Sequence, residues 1–171
     1  MLQEFSDWLS HTSLSALFTD TNRFEMWLLV PFSQSVHTLA IGFVLIAVGV
    51  LNLRMLGVVA TGRSYAKLSN QLMPYVWISL VALLITGVLQ TIAEPSREIM
   101  NTLFRLKVIG LITVITITYV FSARVKTDPT YWEQPGIHKS LGRVLAVVAL
   151  ALWVGIAVAG RLIAYMGAIE S

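Results

Sequence analysis

The sequence contains no cysteine, and this absence excludes disulfide bonds, thiolate metal sites, iron–sulfur clusters and thiol catalysis. It is also poor in charge, because only 12% of its 171 residues are Asp, Glu, Lys or Arg, whereas a soluble domain carries about 25%. The net charge of +3 is spread over the loops, and nothing indicates nucleic acid as a partner. Hydrophobic residues, in contrast, make up 56% of the chain. We therefore expect an integral membrane protein whose main partner is the lipid bilayer.

The hydrophobic residues fall into four segments that are each long enough to cross a bilayer as a helix. We predict an all-α fold, an integral membrane four-helix bundle that forms a single transmembrane domain over residues 1–171. The predicted spans are residues 24–51, 72–92, 103–122 and 141–166, with a bend near Pro31. Residues 1–18 alternate apolar and polar side chains at helical spacing. This pattern predicts an N-terminal amphipathic helix that lies in the membrane interface.

Basic residues near the ends of the spans predict the orientation of the chain, because cytoplasmic loops are enriched in Lys and Arg. The first and third loops between the spans carry half of the twelve Lys and Arg residues, namely Arg54, Arg63, Lys67, Arg124, Lys126 and Lys139, and Arg143 lies just inside the next span. We expect these two loops to be cytoplasmic. The protein would then be a multi-pass protein of the bacterial inner membrane with both termini in the periplasm.

His37 lies inside the first apolar span and is the candidate centre of a functional site, because titratable groups within a membrane are costly and mark function. It is expected about 9 Å below the outer end of the span. The other spans bring polar or basic residues to the same layer, namely Gln90, Arg105, Lys107 and Arg161. We predict a polar pocket in the outer leaflet in which His37 faces Lys107, Arg105 and Arg161 as the cofactor-binding set. No catalytic residue is assigned.

Haem b is the cofactor that this pocket predicts first, because a four-helix bundle with an inward histidine is a natural host for it. The chain has three histidines, too few for a two-haem cytochrome with four histidine ligands. His138 is expected on the order of 20 Å from His37 along the membrane normal, so the two cannot hold one iron. The prediction is a single haem with His37 as a metal ligand. Lys107 in its neutral form, or more weakly Met26, would be the partner ligand.

Several motifs resemble those of an uncharacterised family of four-helix bacterial inner-membrane proteins. They are a histidine in the first span (VHTLAIGFVL), an L-R-x-L-G turn (LNLRMLGVV), an F-R-x-K start to the third span (LFRLKVIGL) and a terminal G-R-L-I-A-Y (WVGIAVAGRLIAY). This resemblance covers most of the chain and implies fold and class, without an activity. More distantly, the pair of His37 and Lys107 is similar to the haem-carrying histidine and lysine of oxygen-independent protoporphyrinogen oxidases. The copper-resistance D family is a vaguer likeness.

Two other functions stay open on the sequence. In the first, the protein is an accessory or structural subunit, and His37 is a hydrogen-bonded residue at a helix seam. In the second, the pocket binds an anionic or quinone-like molecule, and His37 handles a proton. A haem protein would be an oxidoreductase with a quinone or another redox partner. The small residues along the spans are also compatible with a homo-oligomer.

Overall fold

The computed structural model describes residues 2–13, 15, 24–93, 95, 99 and 101–169. Side chains are described for residues 3–13, 15, 31–93, 95, 99 and 101–163, so the side chain of Met26 lies outside the described part. Within these residues the bounded elements are all helices: α1 (Leu2–Ser10), α2 (Phe24–Leu56), α3 (Tyr65–Ala93), α4 (Thr102–Thr127) and α5 (Ile137–Ile169). The predicted all-α class is thereby confirmed.

Helices α2 to α5 are long and apolar enough to cross a membrane, with mean hydropathies between 1.9 and 2.3. Their large apolar side chains remain exposed on the outside of the bundle, as at Ile46, Ile78, Ile112 and Val154. A soluble protein rarely leaves such an apolar surface open to water. The fold is therefore a multi-pass helical membrane bundle whose outer surface faces lipid.

The interior of the bundle is filled by side chains from all four spanning helices. They are Val44 and Leu51 of α2, Val76 and Leu80 of α3, Val114 and Phe121 of α4, and Ala146, Ala149 and Trp153 of α5. The helices form two closely packed hairpins, α2 with α3 and α4 with α5, and the hairpins meet mainly where α2 contacts α5. The α3–α4 seam is much looser. Helices α2 and α4 therefore stand diagonally across the bundle.

The helices extend further than the predicted spans, and the loops are shorter. Residues 65–71, predicted as loop, are the first two turns of α3, and residues 123–127 continue α4. The polar composition of these turns predicts loops. At the start of α3, however, a backbone N–H finds a local acceptor, because the Ser64 hydroxyl accepts a hydrogen bond from the Lys67 N–H. Tyr65 and Leu68 are also buried against the core.

At the N-terminal side, α2 is helical on both sides of Pro31, so the proline does not end the helix, and the predicted bend there stays a prediction. Helix α1 ends at Ser10, where the Ser10 hydroxyl donates to the Asp7 carbonyl at 2.7 Å and competes with the backbone ladder. Residues 16–18 of the predicted interfacial helix lie outside the described residues.

Candidate functional site

A hydrogen bond joins the His37 ring to α3. The His37 Nδ1 atom lies 2.7 Å from the Thr86 hydroxyl oxygen. That hydroxyl has one hydrogen, and it points to the Ala82 carbonyl, 2.7 Å away. With that hydrogen directed to Ala82, the Thr86 oxygen accepts from His37, and we assign the ring hydrogen to Nδ1 on this arrangement. The consequence is that Nε2 of the neutral ring carries a free lone pair, as in metal-ligating histidines whose other nitrogen donates to the protein.

A glycine on α3 sets how closely the imidazole approaches that helix. A methyl group placed at Gly87 would lie 3.6 Å from Cε1 of His37, so the ring rests directly over this position. His37 is half-buried, and Thr86 beside Gly87 is buried. The first hairpin thus holds the ring by a hydrogen bond at one position and by van der Waals contact at the next.

In the second hairpin, the Lys107 side chain packs against a glycine in the same way. A methyl group placed at Gly160 on α5 would lie 3.5 Å from Nζ of Lys107 and 3.7 Å from its Cε. The half-buried lysine side chain therefore packs against α5 at Gly160. Its charge is close enough to interact electrostatically with His37. Since α2 and α4 are diagonal, the structure brings these two predicted residues toward the same interior region.

The four residues that build this region lie in one layer of the bundle. His37, Thr86, Lys107 and Gly160 are each about 20 residues, or about 30 Å, from the end of their helix nearest the first and third loops. We call this region, defined by these four residues with Gly87, the His37 pocket. The layer predicted from the sequence therefore contains interhelical contacts from all four spanning helices.

The two arginines predicted for the pocket are less enclosed. Arg105 is exposed, and its Nη2 donates to the Thr102 hydroxyl at 3.1 Å within its own helix. Arg161 is an exposed residue of α5 next to Gly160 and has interactions of its own. The structure thus gathers His37 and Lys107, and it leaves the two arginines at the periphery.

Buried polar atoms bracket the His37 pocket along the helix axes. Ser33 is one turn from His37 on the same face of α2, and Gln90 is one turn from Thr86 on the same face of α3. The Ser33 hydroxyl and the Gln90 amide nitrogen are buried without a hydrogen-bond partner among the described residues. The indole nitrogen of Trp153, two turns from Gly160, is also buried without a hydrogen-bond partner among the described residues. Because such atoms normally find partners, this region has unused capacity for polar contacts.

His138 lies at the opposite end of the bundle, in the first turn of α5. Its ring centroid is 4.5 Å from that of Tyr131, and it is half-buried there. Across the described residues, no three His, Asp or Glu side chains come together in a way that could hold a metal ion. A metal in the His37 pocket would therefore need a nitrogen from Lys107, or the ring system of a cofactor, to complete its coordination.

Comparison with known families places the chain by sequence. Residues 8–166 match the model of a family of unknown function, DUF6644. The chain belongs to this family. No curated protein and no solved structure matches the chain. Membership agrees with the predicted resemblance to an uncharacterised family and supplies no activity, so function has to be argued from the pocket.

Thr86, Gly87, Gly160 and Ser33 were not predicted as parts of the site, although the sequence contained a signal for some of them. Thr86 and Gln90 lie on a stripe of small and polar residues at helical spacing, which is typical of a packing seam between membrane helices. Ser33 precedes His37 by one helical turn. The signal was present, but a stripe alone does not say which helix it meets.

Proposed function

We propose that the protein holds a single haem b in the His37 pocket and serves a redox or electron-transfer role in the membrane. Nε2 of His37 would ligate the iron, and Lys107 in its neutral form would be the second protein ligand. The observation that carries the proposal is the hydrogen bond between Nδ1 of His37 and Thr86, because the assigned tautomer leaves Nε2 available as a ligand. A histidine that ligates a metal is commonly oriented by such a second contact.

The residues around the pocket support a cofactor with polar edges. Ser33 and Gln90 have unused hydrogen-bonding capacity toward the outer end, where they can donate to the carboxylates of haem. Arg105 and Arg161 lie at the periphery, where a positive charge stabilises those carboxylates without being buried. Glycines at positions 87 and 160 let the two proposed ligands pack closely against α3 and α5.

Haem would supply one-electron chemistry at the iron, and the chain supplies its orientation and its electrostatic surroundings. Thr86 keeps the His37 ring in one tautomer. Lys107 would ligate the iron only in its neutral form, because the neutral amine has a lone pair and the ammonium has none. The likeness of His37 and Lys107 to the haem-carrying pair of oxygen-independent protoporphyrinogen oxidases, a prediction from the sequence, agrees with the proposal, and no curated protein matches the chain.

We propose further that the protein works in the bacterial inner membrane with both termini in the periplasm. The concentration of Lys and Arg in the first and third loops supports this orientation. The His37 pocket then lies in the periplasmic half of the bilayer. A membrane quinol is the class of electron donor that can reach this depth from the lipid, and the loosely packed α3–α4 seam is the side on which the bundle is least closed.

The test is the absorption spectrum of the purified protein expressed with an ample haem supply. We expect a Soret band and a b-type pyridine haemochromogen at one haem per chain. His37→Ala should abolish the band, whereas His138→Ala, a matched removal of a histidine at the other end, should leave it unchanged. Lys107→Met should shift the low-spin spectrum, because the amine nitrogen is replaced by a thioether sulfur or by no protein ligand.

A colourless wild-type protein that also fails to take up added haemin would overturn the proposal. A Soret band that survives His37→Ala unchanged would overturn the ligand assignment.

The His37–Thr86 hydrogen bond also favours a second function, in which His37 holds two helices together in a structural subunit. In that case His37→Ala would lower thermal stability in detergent while no preparation carries haem.

A further inference from the structure

A cavity of about 370 Å³ opens at the end of the bundle opposite the His37 pocket. It lies where α2 ends and α3 and α5 begin, between the first and third loops. The residues that give it its chemical character are Arg54, Arg63, Ser64, Trp132, Glu133 and Lys139. We call this site the basic cavity. It is independent of the proposed haem site.

The charges that line the basic cavity are unbalanced. Three cations, Arg54, Arg63 and Lys139, face one carboxylate, Glu133. That carboxylate is already engaged, because its Oε1 accepts from Nη2 of Arg54 at 3.1 Å and from the Tyr65 N–H at 2.8 Å. The side chains of Arg63 and Lys139 have no hydrogen-bond or ion-pair partner in the described part of the chain. Two positive charges are therefore left for an anion.

The backbone around the basic cavity adds to this positive potential. Helix α3 begins at Tyr65, and Ser64 caps it through the Lys67 N–H. The N-terminal end of a helix of this length carries a partial positive charge and favours an anion nearby. The Arg54 Nε atom donates to the Arg63 carbonyl at 2.7 Å, which ties the end of α2 to the first loop and fixes one wall of the cavity.

The basic cavity lies at the level of the membrane interface. Large apolar side chains beside it, Val58 in the first loop and Ile137 at the start of α5, are exposed at 66% and 77%. Exposed apolar residues next to a cluster of basic side chains are typical of the boundary between lipid tails and headgroups. An anion that reaches this cavity can therefore come from the bilayer surface or from solution.

We propose that the basic cavity binds a phosphate group, with Arg63 and Lys139 as its principal partners. Guanidinium and ammonium groups pair with phosphate oxygens by charge-assisted hydrogen bonds, and the cavity volume accommodates the phosphate together with part of the molecule that carries it. The carrier is an anionic phospholipid headgroup or free phosphate, and both present the same oxygens to the site.

The experiment compares two probes on the full-length protein in a neutral detergent. Short-chain phosphatidylglycerol is titrated and bound molecules are counted by native mass spectrometry, and inorganic phosphate is titrated and followed by the broadening of its ³¹P resonance. The cavity variant is the double substitution Arg63→Gln with Lys139→Gln. The matched control is Lys67→Gln with Lys126→Gln, which removes the same charge from the same side without touching the cavity.

We expect saturable binding that weakens about tenfold or more in the cavity variant and changes less than about twofold in the control. Binding of the lipid alone assigns the site to a headgroup, and binding of both probes assigns it to phosphate in general. Equal losses in both variants, or no saturable binding to the wild-type chain, would overturn the proposal. Thermal unfolding of each variant without ligand shows whether it is folded, and the single variants Arg63→Gln and Lys139→Gln, each expected to weaken binding more than the control does, replace the double variant if it is not.

Discussion

At the scale of single residues, one hydroxyl determines how the His37 ring faces the pocket. The Thr86 hydroxyl donates its hydrogen to the Ala82 carbonyl, and its oxygen accepts from the His37 ring. The hydroxyl of a threonine in a helix often donates to a carbonyl of its own helix in this way. Here this leaves the Thr86 oxygen as an acceptor for the His37 ring. The orientation of His37 therefore depends on the local conformation of α3.

Replacing Thr86 by valine keeps the shape of the side chain and removes the acceptor. Because the half-buried ring hydrogen then has no partner, we expect the free energy of unfolding in detergent to fall by about 1–2 kcal/mol. Thr86→Ser keeps the hydroxyl and should lose less than half of that. The His37 ¹⁵N chemical shifts should report hydrogen on Nδ1 in the wild type and the Ser variant. A mixture of tautomers in the wild type would contradict the assignment.

The contact of Lys107 with Gly160 leads to a prediction about the lysine. Gly160→Leu places a large side chain where the lysine lies, since even a methyl group would be 3.5 Å from Nζ. We expect the haem spectrum to change as it does in Lys107→Met. Gly155→Leu on the same helix is the control, because no atom lies within 4 Å of a methyl group there. Identical spectra of the two glycine variants would show that Lys107 does not depend on this approach.

At the scale of elements, the start of α5 is held by a buried aromatic cluster in the third loop. Trp132 is 3% exposed, its indole nitrogen donates to the Phe121 carbonyl at 3.3 Å, and its ring meets those of Phe121 and Tyr131 edge-on at 4.8 Å. These contacts hold the Trp132 indole in place. Gly142 on α5 packs directly against this ring and against Met55 of α2.

Gly142→Ala should therefore destabilise the protein, although alanine is the better helix former. The added methyl group would lie 3.0 Å from Cε3 of Trp132 and 3.0 Å from Sδ of Met55. The flexible methionine can yield, but the indole cannot. We expect a loss of about 1–3 kcal/mol, as for other overpacked interiors. Gly49→Ala, which meets no atom within 4 Å, should leave the thermal midpoint unchanged or raise it. Equal midpoints would show that the start of α5 adjusts freely.

The element bounds illustrate how far the sequence predicts this fold. Apolar runs located the four spanning helices, because a stretch of about 20 apolar residues has few alternatives in a membrane. The runs could not locate the helix ends, since the turns at residues 65–71 and 123–127 are polar in composition yet helical. Those ends depend on tertiary contacts, such as the burial of Tyr65, that a single sequence does not encode locally.

At the scale of the whole molecule, Glu133 connects three elements. Its carboxylate accepts from the first N–H of α3 and from Arg54 near the end of α2, while the residue itself belongs to the third loop. The start of α3 is therefore capped both by its local Ser64 and by a carboxylate from a distant part of the chain. The two loops on this side of the bundle are joined through it.

Glu133→Ala should lower the free energy of unfolding by about 1–2 kcal/mol, because a helix N–H and a guanidinium both lose their acceptor. Glu133→Gln keeps an oxygen for the Tyr65 N–H and should lose less. Denaturation in detergent followed by circular dichroism measures both. If the alanine and glutamine variants were equally stable, the contact with the α3 backbone would not matter.

The candidate site was predictable in part. The sequence identified His37 and Lys107 as ionisable residues at similar depth, since depth follows from position along a helix of known rise. It could not identify Thr86, Gly87 or Gly160 as their neighbours, because these contacts depend on the rotation and order of the helices. Depth along the helix also could not predict that Arg105 is exposed and bonded within its own helix, because exposure depends on how the helix is rotated.

The division of the bundle into two hairpins has a consequence for the order in which the pocket is made. His37 meets Thr86 within the hairpin of α2 and α3, which is complete once the first half of the chain has been inserted. Lys107 meets Gly160 within the hairpin of α4 and α5, which follows during synthesis. The two halves of the pocket therefore arise separately and come together only when α2 docks on α5. Loading of a cofactor would then be a late event of biogenesis, after the last helix has entered the membrane.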